Sequence, residues 1–176
     1  MGGLWYNHHM SITKLINFCR HEEKSITNYV FGATSSIVTS LALITGLNNS
    51  SNPKLAIISS LLIIALADNI SDSLGIHIYQ ESQGMQAKKV WLKTSTNFFT
   101  RLLVSLGFIW IVAVFPIAAA TYIAIAYGLT TLAVFSYFIA LDRKRKPLFS
   151  ILEHLCIAIT VIILSKFIGS IIVRSV

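Results

Sequence analysis

The fold is decided by a run of forty residues without a charged side chain, LLVSLGFIWIVAVFPIAAATYIAIAYGLTTLAVFSYFIAL at 102–141. As one continuous helix this run would extend about 60 Å, roughly twice the 30 Å hydrocarbon core of a bilayer. Pro116 lies near its middle, and proline interrupts a helix because it lacks an N–H donor. The run therefore predicts two membrane-spanning helices, at about 100–117 and 119–141, joined by a tight turn at this proline.

Apolar segments also lie on both sides of this run. The chain of 176 residues is 55% hydrophobic and only 12% charged, about half the charged share of a soluble domain. The sequence therefore predicts an all-α, multi-pass integral membrane protein, in the plasma membrane of a prokaryote or in an organelle membrane. Its predicted parts are a cytoplasmic N-terminal segment at 1–27 and a transmembrane domain at 28–176 with five spans, at 29–47, 55–79, 100–117, 119–141 and 148–173.

The basic side chains lie in short blocks between the apolar segments and indicate the orientation of the chain. With the N-terminus in the cytoplasm, eleven of the 14 Lys and Arg residues fall on the inner side, including Arg101 and the row from Arg143 to Lys146. Because the net charge of +7 is distributed in this way, it predicts membrane topology and no nucleic-acid partner. A polar linker is predicted from Gln80 to about Thr96, and the third and fourth spans are predicted to be packing or lipid-facing elements.

The second span carries ionisable groups, which are costly inside a membrane and are therefore candidates for function. At 100° per residue, Asp68, Asp72, Gly75 and Tyr79 fall on one helix face, and Ser71 flanks them. Two carboxylates one turn apart, beside further oxygen atoms, suit a hard divalent cation. The same face is also compatible with proton transfer, or with a polar wall of a water-filled vestibule. His77 points to the opposite side and is predicted to be a packed histidine.

The first and last spans carry weaker signals. Small and polar residues of the first span share one face, which favours close helix packing and is also compatible with a transport path; they include Asn28, Gly32, Ser35 and Thr39. Glu153, near the cytoplasmic end of the last span, is a candidate metal or proton site. It is equally compatible with an acid that the dipole of an early helix turn stabilises.

Two stretches resemble the vacuolar iron transporter family. Phe31-Gly-Ala-Thr-Ser-Ser-Ile-Val38 is similar to the first span of that family, and Leu66-Ala-Asp-Asn-Ile-Ser-Asp-Ser-Leu-Gly75 is similar to the second. The five-helix plan with a cytoplasmic N-terminus is similar as well. The resemblance implies a homodimer, paired through the first span, that exports Fe²⁺ or Mn²⁺ from the cytoplasm by proton antiport.

The chain departs from the family pattern at the residues that carry its chemistry. Ser35 stands where the family has an aspartate, Asp72 stands at a methionine, and Ile76 stands at a glutamate. The long acidic insert between the second and third spans is missing, since the linker here carries Glu81 as its only acid. Exchange of a soft thioether for a carboxylate predicts a preference for harder ions.

The sequence therefore predicts a divalent-metal transporter and no enzyme, with no permanently bound cofactor. The predicted metal ligands are Asp68, Asp72 and Glu153, and the predicted transport path is lined by Asn28, Gly32, Ser35, Thr39, Ser71, Gly75 and Tyr79. The expected partners are a second copy of the chain, the divalent ion and the lipid bilayer. The alternative is a non-transporting relative that serves as a dimeric membrane scaffold or regulatory partner.

Overall fold

The computed structural model describes residues 32–175, which form five helices and no strand. The helices are α1 (Gly32–Gly46), α2 (Pro53–Ser82), α3 (Ala87–Val114), α4 (Ile117–Asp142) and α5 (Pro147–Ser175). Each of α2 to α5 is long and apolar enough to cross a membrane. The predicted all-helical class and the break at Pro116 are confirmed. The predicted segment 1–27, Asn28 and the start of the first span lie outside the described residues.

One boundary prediction is wrong. The predicted polar linker from Gln80 to Thr96 is helical except for a short turn at 83–86, because α2 continues to Ser82 and α3 already begins at Ala87. The lysines of this stretch suggested a linker, but Val90 and Thr94 repeat at helical spacing and are buried. The third helix is therefore 28 residues long and begins 13 residues before the predicted span.

The helices pack in chain order, with α1 against several of them. Helix α2 packs on α3, α3 on α4 and α4 on α5. Helix α1 contacts three other helices. Gly32 lies against Asn97 of α3, Leu41 against Gly128 of α4, and Gly46 against Gly169 of α5. One apolar core joins all five helices and includes Ile37, Leu61, Phe108, Ala124 and Ala158.

Helices α1 and α5 come into backbone contact where they cross. A β-carbon built on Gly169 would overlap the carbonyl oxygen of Gly46. Glycine at this position therefore permits backbone contact between the two helices, the role that small residues play between membrane helices. This crossing ties the first described helix to the last.

Two turns of the same geometry lie at one end of the bundle, called the basic end here. After α2, the amide of Gly84 donates to Glu81 O and that of Met85 to Gln80 O; after α4, the amide of Lys144 donates to Leu141 O and that of Arg145 to Ala140 O. This is the Schellman pattern, in which the residue after the helix adopts a left-handed conformation. Gly84 has φ 69° and Lys144 has φ 53°.

Candidate functional site

A buried arginine in the middle of α3 is surrounded by oxygen atoms from two other helices. The Arg101 side chain is 3% exposed. Its Nη1 donates to Asp72 Oδ2 at 2.7 Å and to Ser35 Oγ at 2.8 Å, and its Nη2 donates to Asp68 Oδ2. These four residues are called the ion cluster, and they join α1, α2 and α3.

The cluster follows from helix geometry. Asp68 and Asp72 are one turn apart on α2, so both carboxylates reach the guanidinium of the antiparallel α3. Ser35 arrives from α1 because Gly32 lets that helix approach α3. A β-carbon at Gly32 would lie 2.5 Å from Asn97 Oδ1 and 3.0 Å from Arg101 Cγ. Gly32, predicted to line a path, is thus a packing residue beside the cluster.

The ion cluster carries a formal charge of −1, from two carboxylates and one guanidinium. Burial of a guanidinium is unfavourable unless it is paired and hydrogen-bonded, and here three acceptors serve its two terminal nitrogens. The carboxylates are less enclosed, because the side chain of Asp68 is 48% exposed and that of Asp72 is 31% exposed. The cluster thus joins an enclosed cation to anionic groups that remain accessible.

Buried polar side chains continue from the cluster along the contact between α2 and α3. This polar seam consists of Asn69, Ser73 and Gln80 of α2 and Thr94, Asn97, Arg101 and Ser105 of α3. It occupies the half of the contact nearer the basic end. In the other half the same faces are apolar, with Ile57 and Leu61 opposite the region of Phe108 and Val112. The ion cluster lies where the polar half meets the apolar half.

Several atoms of the polar seam are buried without a hydrogen-bond partner. Asn97 Nδ2 donates to Ser73 Oγ at 3.4 Å and Asn69 Nδ2 donates to Phe98 O at 2.9 Å. The side-chain oxygens of Asn69, Asn97 and Gln80 and the Nε of Arg101 have none. Buried polar atoms are nearly always satisfied by protein or water. These atoms are the places in the seam where a water molecule or a mobile polar partner would be stabilised.

The other predicted residues of the second span are exposed or lie at the edge of the seam. Ser71, Gly75 and Tyr79 are exposed, and a β-carbon at Gly75 would meet nothing within 4 Å. His77 contacts Thr94 Oγ1 at 3.2 Å and packs edge-on against Trp91, with ring centroids 4.7 Å apart. It is partly buried, as expected for a packed histidine.

The three predicted metal ligands are not brought together. Asp68 and Asp72 share Arg101, whereas Glu153 is exposed on α5 and has no hydrogen bond or ion pair with the described residues. Within residues 32–175 no group of three or more His, Cys, Asp or Glu side chains could hold a metal ion. A metal at Asp68 and Asp72 would need oxygen atoms from Ser35, water or another chain.

Thr39 lies on a different feature, a groove between α1, α4 and α5. The hydroxyl of Thr39 donates to Ser35 O at 3.0 Å. The groove has a volume of about 510 Å³ and is bordered by Ser35, Val38, Leu132, Ile139, Arg143 and Ile157, among others. Ser35 therefore belongs both to this groove and to the ion cluster.

The prediction that Arg101 lies among the charges at the inner ends of the spans is wrong. Arg101, the central residue of the site, is buried in the middle of α3. A signal was present in the sequence. Thr94, Asn97, Arg101 and Ser105 recur every three or four residues, the spacing of one helix face. The third span is therefore not only a packing or lipid-facing element.

The fold and site together define an all-helical protein with four helices able to cross a membrane and a charged cluster within the bundle. Comparison of the chain with protein-family models, curated proteins and solved structures finds no match. The resemblance to vacuolar iron transporters thus rests on the two short stretches of the first and second spans.

Proposed function

We propose that the protein is a membrane transporter of divalent cations, Fe²⁺ or Mn²⁺, and that the ion cluster is the site where the cation binds during transport. The observation that carries this proposal is the arrangement of three oxygen ligands around the buried Arg101 guanidinium. These oxygens already hold a positive charge inside the bundle. Carboxylate and hydroxyl oxygens are also the ligands that hard divalent cations prefer.

Arg101 occupies the place of the cargo in this conformation. When the guanidinium moves away from Asp68 and Asp72, the freed carboxylates offer two anionic ligands. The cation then replaces Arg101 as the positive partner of the two carboxylates, so their negative charge is compensated throughout. Such an exchange keeps the carboxylates paired, and it requires the displaced guanidinium to reach other acceptors or water, because an unpaired buried charge is costly. Protons that bind the same carboxylates after the cation leaves would supply antiport coupling.

A cation would reach the cluster along the polar seam, because polar side chains lie on one side of the cluster only. The seam leads from the basic end to the cluster, and the apolar half of the α2–α3 contact closes the other side. With the basic end in the cytoplasm, as the Lys and Arg distribution predicts, the seam leads to the cluster from the cytoplasmic side, and entry requires its buried side chains to move apart. Export then requires separation of the apolar half around Leu61 and Phe108.

A second copy of the chain would complete the site. Asp68 is 48% exposed in the middle of α2, where a carboxylate facing lipid would be unfavourable. Ser71 and Gly75 continue this exposed face. A homodimer that covers the face would enclose Asp68 and could add further oxygen ligands. The half-buried side of α1, predicted to form the dimer contact, remains a second candidate surface.

A flux assay in proteoliposomes tests the transport function. The wild-type chain is expected to move Fe²⁺ or Mn²⁺, and the pair Asp68→Asn/Asp72→Asn is expected to lose at least about ten-fold of the flux, since even supporting partners of metal ligands contribute that much. Asp142→Asn is the matched control, because Asp142 is an acid at the end of α4 away from the cluster. Wild-type flux in the double variant, or equal loss in the control, would contradict the assignment.

A variant that folds but lacks the charges separates transport from stability. Arg101→Met combined with Asp68→Asn and Asp72→Asn removes all three charges and leaves none unpaired. We expect this triple variant to fold and to show no flux. Retained flux would exclude the ion cluster as the cation site.

The direct ion pairs of the cluster also favour a second candidate, the non-transporting membrane scaffold. In that case the ion pairs only fix α2 against α3 and α1. It predicts no flux of Fe²⁺ or Mn²⁺ in the wild-type chain, together with the same loss of stability in the aspartate variants. The flux of the wild-type protein therefore decides between the two functions.

A further inference from the structure

The turn between α4 and α5 presents four consecutive basic side chains at the basic end. Arg143, Lys144, Arg145 and Lys146 are all exposed. Their side chains make no hydrogen bond or ion pair with the described residues. The row is therefore free to bind an anionic group.

One residue of this row has an unfavourable backbone conformation. Lys144 adopts φ 53°, a left-handed conformation that side chains with a β-carbon rarely adopt. The corresponding position of the α2–α3 turn is Gly84, with φ 69° and the same pair of backbone hydrogen bonds. Glycine would thus suit the α4–α5 turn better than lysine does. A lysine there keeps the basic row unbroken at the expense of backbone strain, which is a reason to look for function.

The groove between α1, α4 and α5 begins at the same turn. Arg143 borders it at the basic end, and Val38, Leu132, Ile139 and Ile157 supply apolar walls further along. Its surface is mostly apolar and its volume is about 510 Å³. A row of cations at the mouth of an apolar groove matches a molecule with an anionic head and a hydrocarbon chain.

We propose that an anionic phospholipid binds here, with its phosphate on the basic turn and an acyl chain in the groove. A soluble anion would leave the apolar walls of the groove without a partner. A zwitterionic lipid lacks the net negative charge that four cations attract. Because Ser35 borders the groove and accepts a hydrogen bond from Arg101, the bound chain lies beside the ion cluster.

Lipid binding to the purified full chain in neutral detergent tests this proposal. Native mass spectrometry counts phosphatidylglycerol or phosphatidylcholine bound to each protein molecule. We expect phosphatidylglycerol to bind more tightly than phosphatidylcholine. Arg143→Gln and Lys144→Gly should each weaken the binding of phosphatidylglycerol about five-fold, the usual contribution of one basic residue at a lipid surface. Lys144→Gly is also expected to raise the thermal midpoint by about 2–4 °C, because glycine relieves the left-handed strain.

Matched variants separate the groove from general attraction to negative charge. Lys88→Gln/Lys89→Gln removes two lysines from the first turn of α3, next to the α2–α3 turn, and should leave binding unchanged. Ile157→Trp should fill the groove and reduce binding, whereas Ile163→Trp on the same helix, outside the groove, should not. Equal affinity for the two lipids would overturn the proposal. So would equal loss in the Lys88/Lys89 variant, or full competition by glycerol phosphate, which has no acyl chain.

Discussion

Removal of both carboxylates of the ion cluster is expected to destabilise the protein by about 3–5 kcal/mol, the usual result of leaving one partner of a buried ion pair alone. In Asp68→Ala/Asp72→Ala, the guanidinium of Arg101 stays buried at 3% exposure with only Ser35 as acceptor. Removal of the arginine should lower the free energy of unfolding by less. In Arg101→Met the two carboxylates are left, and they are partly exposed, so we expect a loss of about 1–3 kcal/mol.

A thermodynamic cycle on the detergent-solubilised protein measures this asymmetry. The free energies of unfolding of the double alanine variant, Arg101→Met and the triple combination are compared with that of the wild type. Because the triple variant leaves no unpaired charge, its loss should be smaller than the sum of the separate losses. Additive losses, or a greater loss for Arg101→Met than for the aspartate pair, would contradict the arrangement described above.

The second large effect is expected at the crossing of α1 and α5. Gly169→Ala places a β-carbon where it overlaps the carbonyl oxygen of Gly46, and a backbone group cannot move aside as a side-chain tip can. The helices must separate, and we expect a loss of about 3 kcal/mol or more in the free energy of unfolding, the upper part of the range for overpacking.

Gly75→Ala is the matched control for this substitution. It makes the same chemical change in the interior of α2, where a β-carbon meets nothing within 4 Å. Alanine favours a helix over glycine by about 1 kcal/mol, so this variant should be neutral or more stable. Thermal unfolding of both variants checks the pair of predictions. Similar behaviour of the two variants would show that the close crossing does not contribute to stability.

Much of the fold could be predicted because apolar run length alone separates membrane helices from other elements. The break at Pro116 and the helix beginning at Pro147 follow from the chemistry of proline. The prediction of a linker from Gln80 to Thr96 is wrong because a stretch with several lysines can still form a helix. Lysines that face outward do not prevent a helix whose buried side carries Val90 and Thr94.

Only the two carboxylates of the site could be predicted from the sequence. Asp68 and Asp72 stood out because they are carboxylates inside an apolar run. Their partner Arg101 stood at the margin of the next run, where arginines commonly mark a membrane boundary. The spacing of residues along one helix does not predict which residue of a neighbouring helix lies opposite them. The position of Arg101 depends on the register of α3 against α2, which follows from the packing of the whole bundle.

The ion cluster also has a consequence for biosynthesis. Asp68 and Arg101 are 33 residues apart, on consecutive helices, so a newly made α2–α3 pair can enter the bilayer with these two side chains already paired. Gly169 is made about 120 residues after Gly46, roughly 6–25 s later at the usual 5–20 residues per second, so the crossing of these two glycines forms late. We therefore expect the α2–α3 hairpin to be the first assembled unit, and α1 to remain incompletely packed until α5 is released from the ribosome.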